Sequence, residues 1–124
     1  LGELQEGRAT RFEVDIDDDA TALLSPAQMI ETLQIARETV SNALRHGDAS
    51  VVKLRVHKRD REVCLLVQDN GRGFDAASRR EGGHGLGNMH VRAEAMGASL
   101  RIASQPGEGT RILATLPILP SAVA

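Results

Sequence analysis

The stretch Gln68–Phe74, QDNGRGF, decides how the chain is read. An apolar run, EVCLLV at 62–67, leads straight into Asp69, and glycines follow at Gly71 and Gly73. Continued through Asp75 and Ala76 it reads G-R-G-F-D-A, which fits the dinucleotide fingerprint G-x-G-x-x-G/A behind a strand. It also fits a loop that reads adenine through an aspartate, and it fits a plain turn. The dinucleotide reading requires the glycines to open a helix inside a βαβ unit, with an acidic residue about 20 positions later. Gly82-Gly83 interrupts the following segment after about two turns, and only hairpin-like sequence remains downstream. The fingerprint is therefore a decoy, and the choice between an adenine loop and a turn rests on the flanking segments.

Upstream, Ser25-Pro26-Ala27-Gln28 predicts a helix start. Ser25 is the N-cap, Pro26 takes the first helical position, and Gln28 closes a capping box. The helix is expected to run to about His46, with Gly47 as its stop. At 100° per residue Met29, Leu33, Ala36, Val40 and Leu44 share a face, which is read as the core side. Glu38, Asn42 and Arg45 then lie opposite, as i+4 and i+3 neighbours. For Glu or Arg alone a solvent face would be the default. Asn42 weakens that default, because Asn in a helix interior is worse than Ala by about 0.5 kcal/mol. An amide oxygen between a carboxylate and a guanidinium suits magnesium with phosphate, since magnesium takes few protein oxygens and keeps several waters. His46, one turn beyond Asn42, is expected to line the same site.

Downstream, GGHGLGNMH at 82–90 carries Gly82, Gly83, Gly85 and Gly87 into a second predicted helix, Gly85–Met96. Free backbone N–H groups at a helix N-terminus attract phosphate, and His84 is the loop side chain able to touch one. The G-K-[ST] ending of a P-loop is missing. Finally, PGEGT at 106–110 is a hairpin turn, with Thr110 opening the last strand beside the Asp69 loop.

The remaining sequence completes a β, long α, ββ, loop, α, ββ order. TRFEVDI at 10–16 alternates and predicts a half-buried strand, with Phe12, Val14 and Ile16 on one side. Asp17–Asp19 reads as a charged, solvated turn. Ser50–His57 and Glu62–Gln68 form one predicted hairpin, with His57 an exposed strand residue, and Ala98–Ser104 and Thr110–Leu116 form another. The order implies an α/β two-layer sandwich: a mixed, mostly antiparallel sheet with helices on one face. Residues 1–9 read as a linker from an upstream domain, 10–117 as the domain itself, and 118–124 as a tail.

Composition narrows the function classes. With 124 residues and 41% hydrophobic content the chain suits one folded domain. Two Phe and no Trp or Tyr leave no stacking platform for single-stranded bases, and the net charge of −2 gives no basic field for nucleic acid. One cysteine, Cys64, excludes an internal disulfide and a cysteine-ligated zinc cluster, and is expected in the core. No apolar run reaches the length of a membrane span. No Ser/His/Asp triad suggests itself.

Taken in order, these pieces resemble the ATP-binding domain of sensor histidine kinases, in the superfamily shared with gyrase B, the Hsp90 chaperone and MutL. Glu38-x-x-x-Asn42 resembles the N box, Asp69-Asn70-Gly71-Arg72-Gly73 the G1 box, Gly83-His84-Gly85-Leu86-Gly87 the G2 box, and Gly107–Thr110 the final glycine–threonine block. The ending GLGNMHVRAEAMGASLRIASQPGEGTRILATLP resembles the class that partners NarL-type response regulators, and within it the mycobacterial haem-based oxygen/redox sensors of the dormancy response. The resemblance covers roughly Ser25–Pro117 and implies a Bergerat-type sandwich.

By position, the resemblance implies that Asn42 holds Mg²⁺ through the phosphates and Glu38 serves as general base or positions the attacking group. Arg45 would contact phosphate, and Asp69 would accept from the adenine amino group, with Gly71, Gly73 and Thr110 beside it. His84, Gly85, Leu86 and Gly87 would form the phosphate loop. The implied cofactors are ATP and Mg²⁺. The implied activity is transfer of the γ-phosphate to a histidine of an upstream dimerisation domain, in a cytoplasmic, homodimeric protein that signals to a NarL-type regulator. No nucleic acid and no direct membrane contact are implied. Two departures stand out: Phe74 follows the G1 box directly, and about ten residues separate it from Gly85, so the lid is expected to be short. An anti-sigma-factor-like serine kinase, or a nucleotide-binding interaction module without transfer, is the alternative function.

Overall fold

The computed structural model describes residues 10–45, 48–73 and 84–118, the side chains of 84–88 excepted. Strand β1 spans Arg11–Ile16, a short helix α1 spans Asp18–Thr21, and the long helix α2 spans Pro26–Arg45. Strands β2 (Val51–Arg59) and β3 (Glu62–Asp69) follow, then α3 (His84–Ala95), β4 (Ser99–Ser104) and β5 (Thr110–Pro117). The five strands form one sheet in the order β1-β2-β3-β5-β4. Only β1 and β2 pair in parallel; the other three ladders are antiparallel. The mixed two-layer sandwich expected from the sequence is the observed architecture.

Alternation along the strands sends one set of side chains towards the helices. Across the sheet these form rows: Val56, Leu65, Ala114 and Leu100, then Leu54, Val67, Ile112 and Ile102. Most are buried, and the half-buried ones pack on that core. The row at the end of the sheet differs. There Val52 stands beside Asp69, Thr110 and Ser104, so an aliphatic face finishes in polar groups.

Helix α2 starts as expected. The Ser25 backbone N–H donates to Gln28 Oε1 at 2.8 Å, and the Gln28 N–H donates to Ser25 Oγ at 3.1 Å, a reciprocal capping box. Its buried face is not the expected one. Thr32, Ile35, Ala36, Thr39 and Ala43 point inward, whereas Leu33 and Leu44 are 59% and 44% exposed. The helix is thus turned by about a quarter turn from the purely apolar stripe. The reason is contact with both the sheet and α3. Alanines and threonines allow close approach, and the threonine hydroxyls find local partners: Thr39 donates to the Ile35 carbonyl at 2.8 Å and lies 3.2 Å from Met89 Sδ, and Thr32 meets Met96 Sδ at 3.7 Å.

Three further expectations are corrected. Strand β1 exists but is exposed throughout rather than half-buried, because it forms an edge of the sheet that α2 does not cover. The acidic turn is helical: Asp17 caps α1 by accepting from the Asp19 N–H at 3.0 Å. His57 is half-buried, with Nδ1 unpartnered among the described residues, and burial beside Arg55 and Arg59 pulls its pKa below the ordinary value. Cys64 is buried and its thiol pKa is raised by that burial.

Candidate functional site

Asn42, Asp69, Thr110 and the start of α3, far apart in sequence, converge at one end of the domain. Strand β2 begins where α2 has just ended, and the register Val52↔Asp69↔Thr110 brings the last residue of β3 and the first of β5 to that same end. Helix α3 runs antiparallel to α2, because Met96 meets Thr32 and Met89 meets Thr39. Seven residues on α2 match seven on α3, so the first turn of α3 lies at the level of Asn42. The side-chain-bearing face of that end is therefore shared by Asn42, Asp69, Thr110 and the N-terminal pole of α3.

Asp69 is the chemical centre of this arrangement. It is 9% exposed, at the end of an aliphatic strand face. Its Oδ1 accepts from the Gly71 N–H at 2.7 Å, and the Thr110 N–H also stabilises the carboxylate. Burial nevertheless outweighs these bonds and raises the pKa above its ordinary value. A buried carboxylate that still has acceptor capacity suits an amino group of a ligand.

The glycines around it are set by the backbone. Gly73 has φ +65°, and a Cβ there would collide with the Gln105 carbonyl oxygen and stand 2.7 Å from that of Gly109. Gly109 has φ +75°, and its Cβ would collide with the Asp69 carbonyl oxygen. The Gly107 N–H donates to the Arg72 carbonyl at 2.6 Å. The Asp69 loop and the β4–β5 turn are locked together, and Gly73 is needed for that lock. Gly71 is buried beside Asp69.

Glu38 and Asn42 are half-buried on the flank of α2 that faces α3, closer to the core than the sequence reading put them. Arg45 is exposed, with Nε donating to Ser41 Oγ at 3.0 Å. Thr110 Oγ1 lies 2.8 Å from Ser104 Oγ, which also donates to the Gly109 carbonyl at 2.9 Å. His84, Gly85, Leu86 and Gly87 form the first turn of α3, but the side chains of His84 and Leu86 lie outside the described residues, as do His46, Gly82, Gly83 and the expected lid from Phe74.

Two residues have structural roles that the sequence does not reveal, Asn70 of the Asp69 loop and Arg92. Asn70 ties the site end together: its Oδ1 accepts from the Ser50 and Val51 N–H groups, both at 2.9 Å, and its Nδ2 donates to Ser50 Oγ at 2.9 Å. Arg92 of α3 reaches Glu31 of α2 at 3.1 Å, which holds the two helices in register. Neither partner is close in sequence, so no local pattern exposes them. A hollow of about 830 Å³ beside the β4–β5 turn also touches Asp69. Its lining combines Gln68, Ala103 and Arg111 of the outer sheet face with Ile102, Ser104 and Thr110 of the helix-facing rows, so it wraps the end of the sheet at the β4–β5 turn.

Residues 29–120 match the sequence profile of the histidine kinase-, DNA gyrase B- and HSP90-like ATPases. The chain belongs to this family. It is similar to the sensor protein VraS of Staphylococcus aureus (strain COL), 39% identical over 85 residues, which is 68% of this chain and 24% of that protein. VraS of Staphylococcus saprophyticus is equally 39% identical over 85 residues, with the same shares of 68% and 24%. The chain thus spans about a quarter of the length of these curated relatives. Among solved structures, the blue-light activated histidine kinase of Erythrobacter litoralis EL346 superposes with a TM-score of 0.75 at 24% identity, over 94% of this chain and 37% of that one. Full-length ShkA in complex with AMPPNP gives 0.66 at 18%, over 89% and 26%. These likenesses establish the fold of the ATPase domain, which is that of a histidine kinase catalytic domain.

Proposed function

We propose that this ATPase domain binds Mg-ATP at the end of the sheet marked by Asp69 and donates the γ-phosphate to a histidine in another domain of the same protein. The single observation that carries the reading is Asp69, buried at the end of the helix-facing strand row, with Asn42 and the N-terminus of α3 at that same end. Asp69 accepts from the adenine amino group, a role guanine cannot fill because it presents a carbonyl there. The first turn of α3 and its Gly85 and Gly87 receive the phosphates, with His84, Leu86 and His46 beside them and Arg45 swinging from Ser41 to add charge. Gly71, Gly73 and Thr110 shape the adenine side.

The donor set fits a magnesium ion held jointly with phosphates. Asn42 offers one hard oxygen, and no group of three or more His, Cys, Asp or Glu side chains gathers into a metal cage among the described residues. When bound, the ion neutralises charge on the phosphates. The carboxylate of Glu38, one turn before Asn42, orients the attacking imidazole through its N–H. Phosphoryl transfer needs mainly positioning and charge stabilisation, which these groups supply. The finer assignment, to kinases that partner a NarL-type response regulator as in the mycobacterial redox sensors, is supported by the MHVRAE segment at 89–94; the homodimeric protein would present this domain in the cytoplasm. Among the described residues no helix is long and apolar enough to cross a membrane.

Titration with a non-hydrolysable ATP analogue tests the reading. The wild-type chain should bind ATP in preference to GTP, Asp69→Asn should lose at least roughly tenfold in affinity, and Asn42→Asp should change the magnesium dependence. Absence of binding at millimolar analogue, or equal affinity in Asp69→Asn, would overturn it. Labelled ATP should leave no stoichiometric label on this chain alone, because the acceptor histidine lies elsewhere.

A further inference from the structure

The register Asp69↔Thr110↔Ser104 sets a carboxylate and two hydroxyls side by side on β3, β5 and β4, on the helix-facing side of the sheet's end. Two contacts fix where the hydroxyl protons go. Ser104 Oγ donates to the Gly109 carbonyl at 2.9 Å, and it lies 2.8 Å from Thr110 Oγ1. A hydroxyl has one proton to give, and a carbonyl has none. With the Ser104 proton on Gly109, the short oxygen–oxygen contact requires the Thr110 proton to point at Ser104. The reverse assignment would set the Gly109 carbonyl against a lone pair. That carbonyl cannot turn aside, because Gly109 is buried at φ +75°, with the Asp69 carbonyl oxygen where its Cβ would stand. Thr110 therefore shows the Asp69 side of the site its lone pairs and not its proton.

We propose that Ser104 is a positioning residue for the base: by drawing the Thr110 proton away from Asp69, it leaves that side of the site without a hydroxyl donor and so turns away purines that carry a carbonyl in place of the adenine amino group. The inference rests on the ATP-binding reading and deepens it. Adenine brings its own donor, the amino group, and the acceptors of Asp69 and Thr110 suit it. Hypoxanthine and guanine bring a carbonyl there, which needs a donor from the protein. A Thr110 hydroxyl free to rotate would supply one, directly or through a water. Ser104 takes that proton out of reach, so a mispaired carbonyl meets only lone pairs, and sites built this way reject the wrong group strongly. Ser104 acts through Thr110, and its effect adds to the repulsion that the Asp69 carboxylate already exerts.

The test is the ratio of ADP to IDP affinity, measured by titrating the 124-residue chain. The two nucleotides share sugar and phosphates and differ only in the amino or carbonyl edge of the base. Wild type should favour ADP. Ser104→Ala should narrow that preference by about threefold to tenfold, mainly through tighter IDP binding. Ser104→Thr keeps the hydroxyl and should keep the wild-type ratio. Adding Thr110→Val to Ser104→Ala removes the freed proton and should abolish the gain in IDP binding. A Ser104 that only braces the β4–β5 turn would weaken both nucleotides together; an unchanged ratio in Ser104→Ala would overturn the proposal. Thr110→Val alone gives a measurement that does not depend on the Ser104 variants folding. Because the Thr110 proton already points at Ser104, its loss should not widen the preference for ADP, and a wider preference would overturn the proposal by showing that the proton faces the base. A wild-type chain that binds neither nucleotide would overturn the ATP-binding reading and this inference with it. A preference for ADP that Ser104→Ala leaves intact would overturn this inference alone.

Discussion

The backbone carbonyl of Asp69 occupies the place where a side chain on Gly109 would begin. The residue that would read adenine and the turn that ends the last hairpin are therefore one mechanical unit. The Arg72 carbonyl accepts from Gly107, and Gly73 is pressed against the Gln105 and Gly109 carbonyls from the other side. The position of the Asp69 carboxylate depends on this backbone-to-backbone contact.

Gly109→Ala should accordingly be costly twice over, through the collision and through its φ of +75°. An unfolding free energy lowered by at least about 2 kcal/mol is expected in urea titration. Gly107→Ala is the control. Its φ is +82°, but nothing stands within 4 Å of the added Cβ, so only the conformational cost of about 1 kcal/mol applies. Equal losses for the two variants would show that the Asp69 contact is not limiting.

Asp69 also gives stability a pH dependence of definite sign. Because burial raises its folded pKa, the folded state binds the proton more tightly than the unfolded state does. The favourable contribution is present below the unfolded pKa and is lost as pH rises through the higher folded value. Asp69→Asn removes this slope and keeps an acceptor for the Gly71 N–H. The stability of wild type relative to Asp69→Asn should fall with rising pH across that window and level off above it. A difference that stays flat between pH 3 and 8, or that rises, would contradict the burial argument.

Much of this was legible from residue order. The capping box at Ser25–Gln28, both antiparallel hairpins and the short helix after the glycines all have local signatures, and all are present. What was not legible depends on partners. The buried face of α2 contains Thr32 and Thr39, which an apolar count excludes, yet their hydroxyls are satisfied by Ile35 and the Met sulfurs. The exposure of Phe12, Val14 and Ile16 follows from the edge position of β1, and alternation alone does not reveal an edge. Asp69 was visible as the end of a strand, but its burial was not.

Asn70 offers a cleaner separation of charge from geometry. Its Oδ1 is shared by two N–H donors at the start of β2, and its Nδ2 adds Ser50 Oγ. Asn70→Ala should cost about 0.5–1.5 kcal/mol, because two backbone donors at this exposed site exchange a fixed acceptor for water. Asn70→Asp keeps both acceptor bonds and should recover most of that loss. Thermal unfolding of the three proteins checks the order; an Asp variant as weak as the Ala variant would mean that the paired N–H groups at the start of β2 do not hold the loop.

The last prediction concerns the ion pair that sets the level of α3. Arg92 and Glu31 meet at 3.1 Å with their side chains 38% and 27% exposed, so solvent screens them in part. A double-mutant cycle with Glu31→Gln and Arg92→Met should therefore give a coupling of only about 0.5–1 kcal/mol. The larger effect should fall on nucleotide binding. If the pair keeps the first turn of α3 beside Asn42, either single substitution weakens ATP-analogue binding several-fold, and the double variant is no worse than the singles. Adenosine, which makes no phosphate contact, should bind all four proteins alike. Loss of adenosine binding in step with the ATP analogue would instead show that the substitutions disturb the Asp69 end of the site.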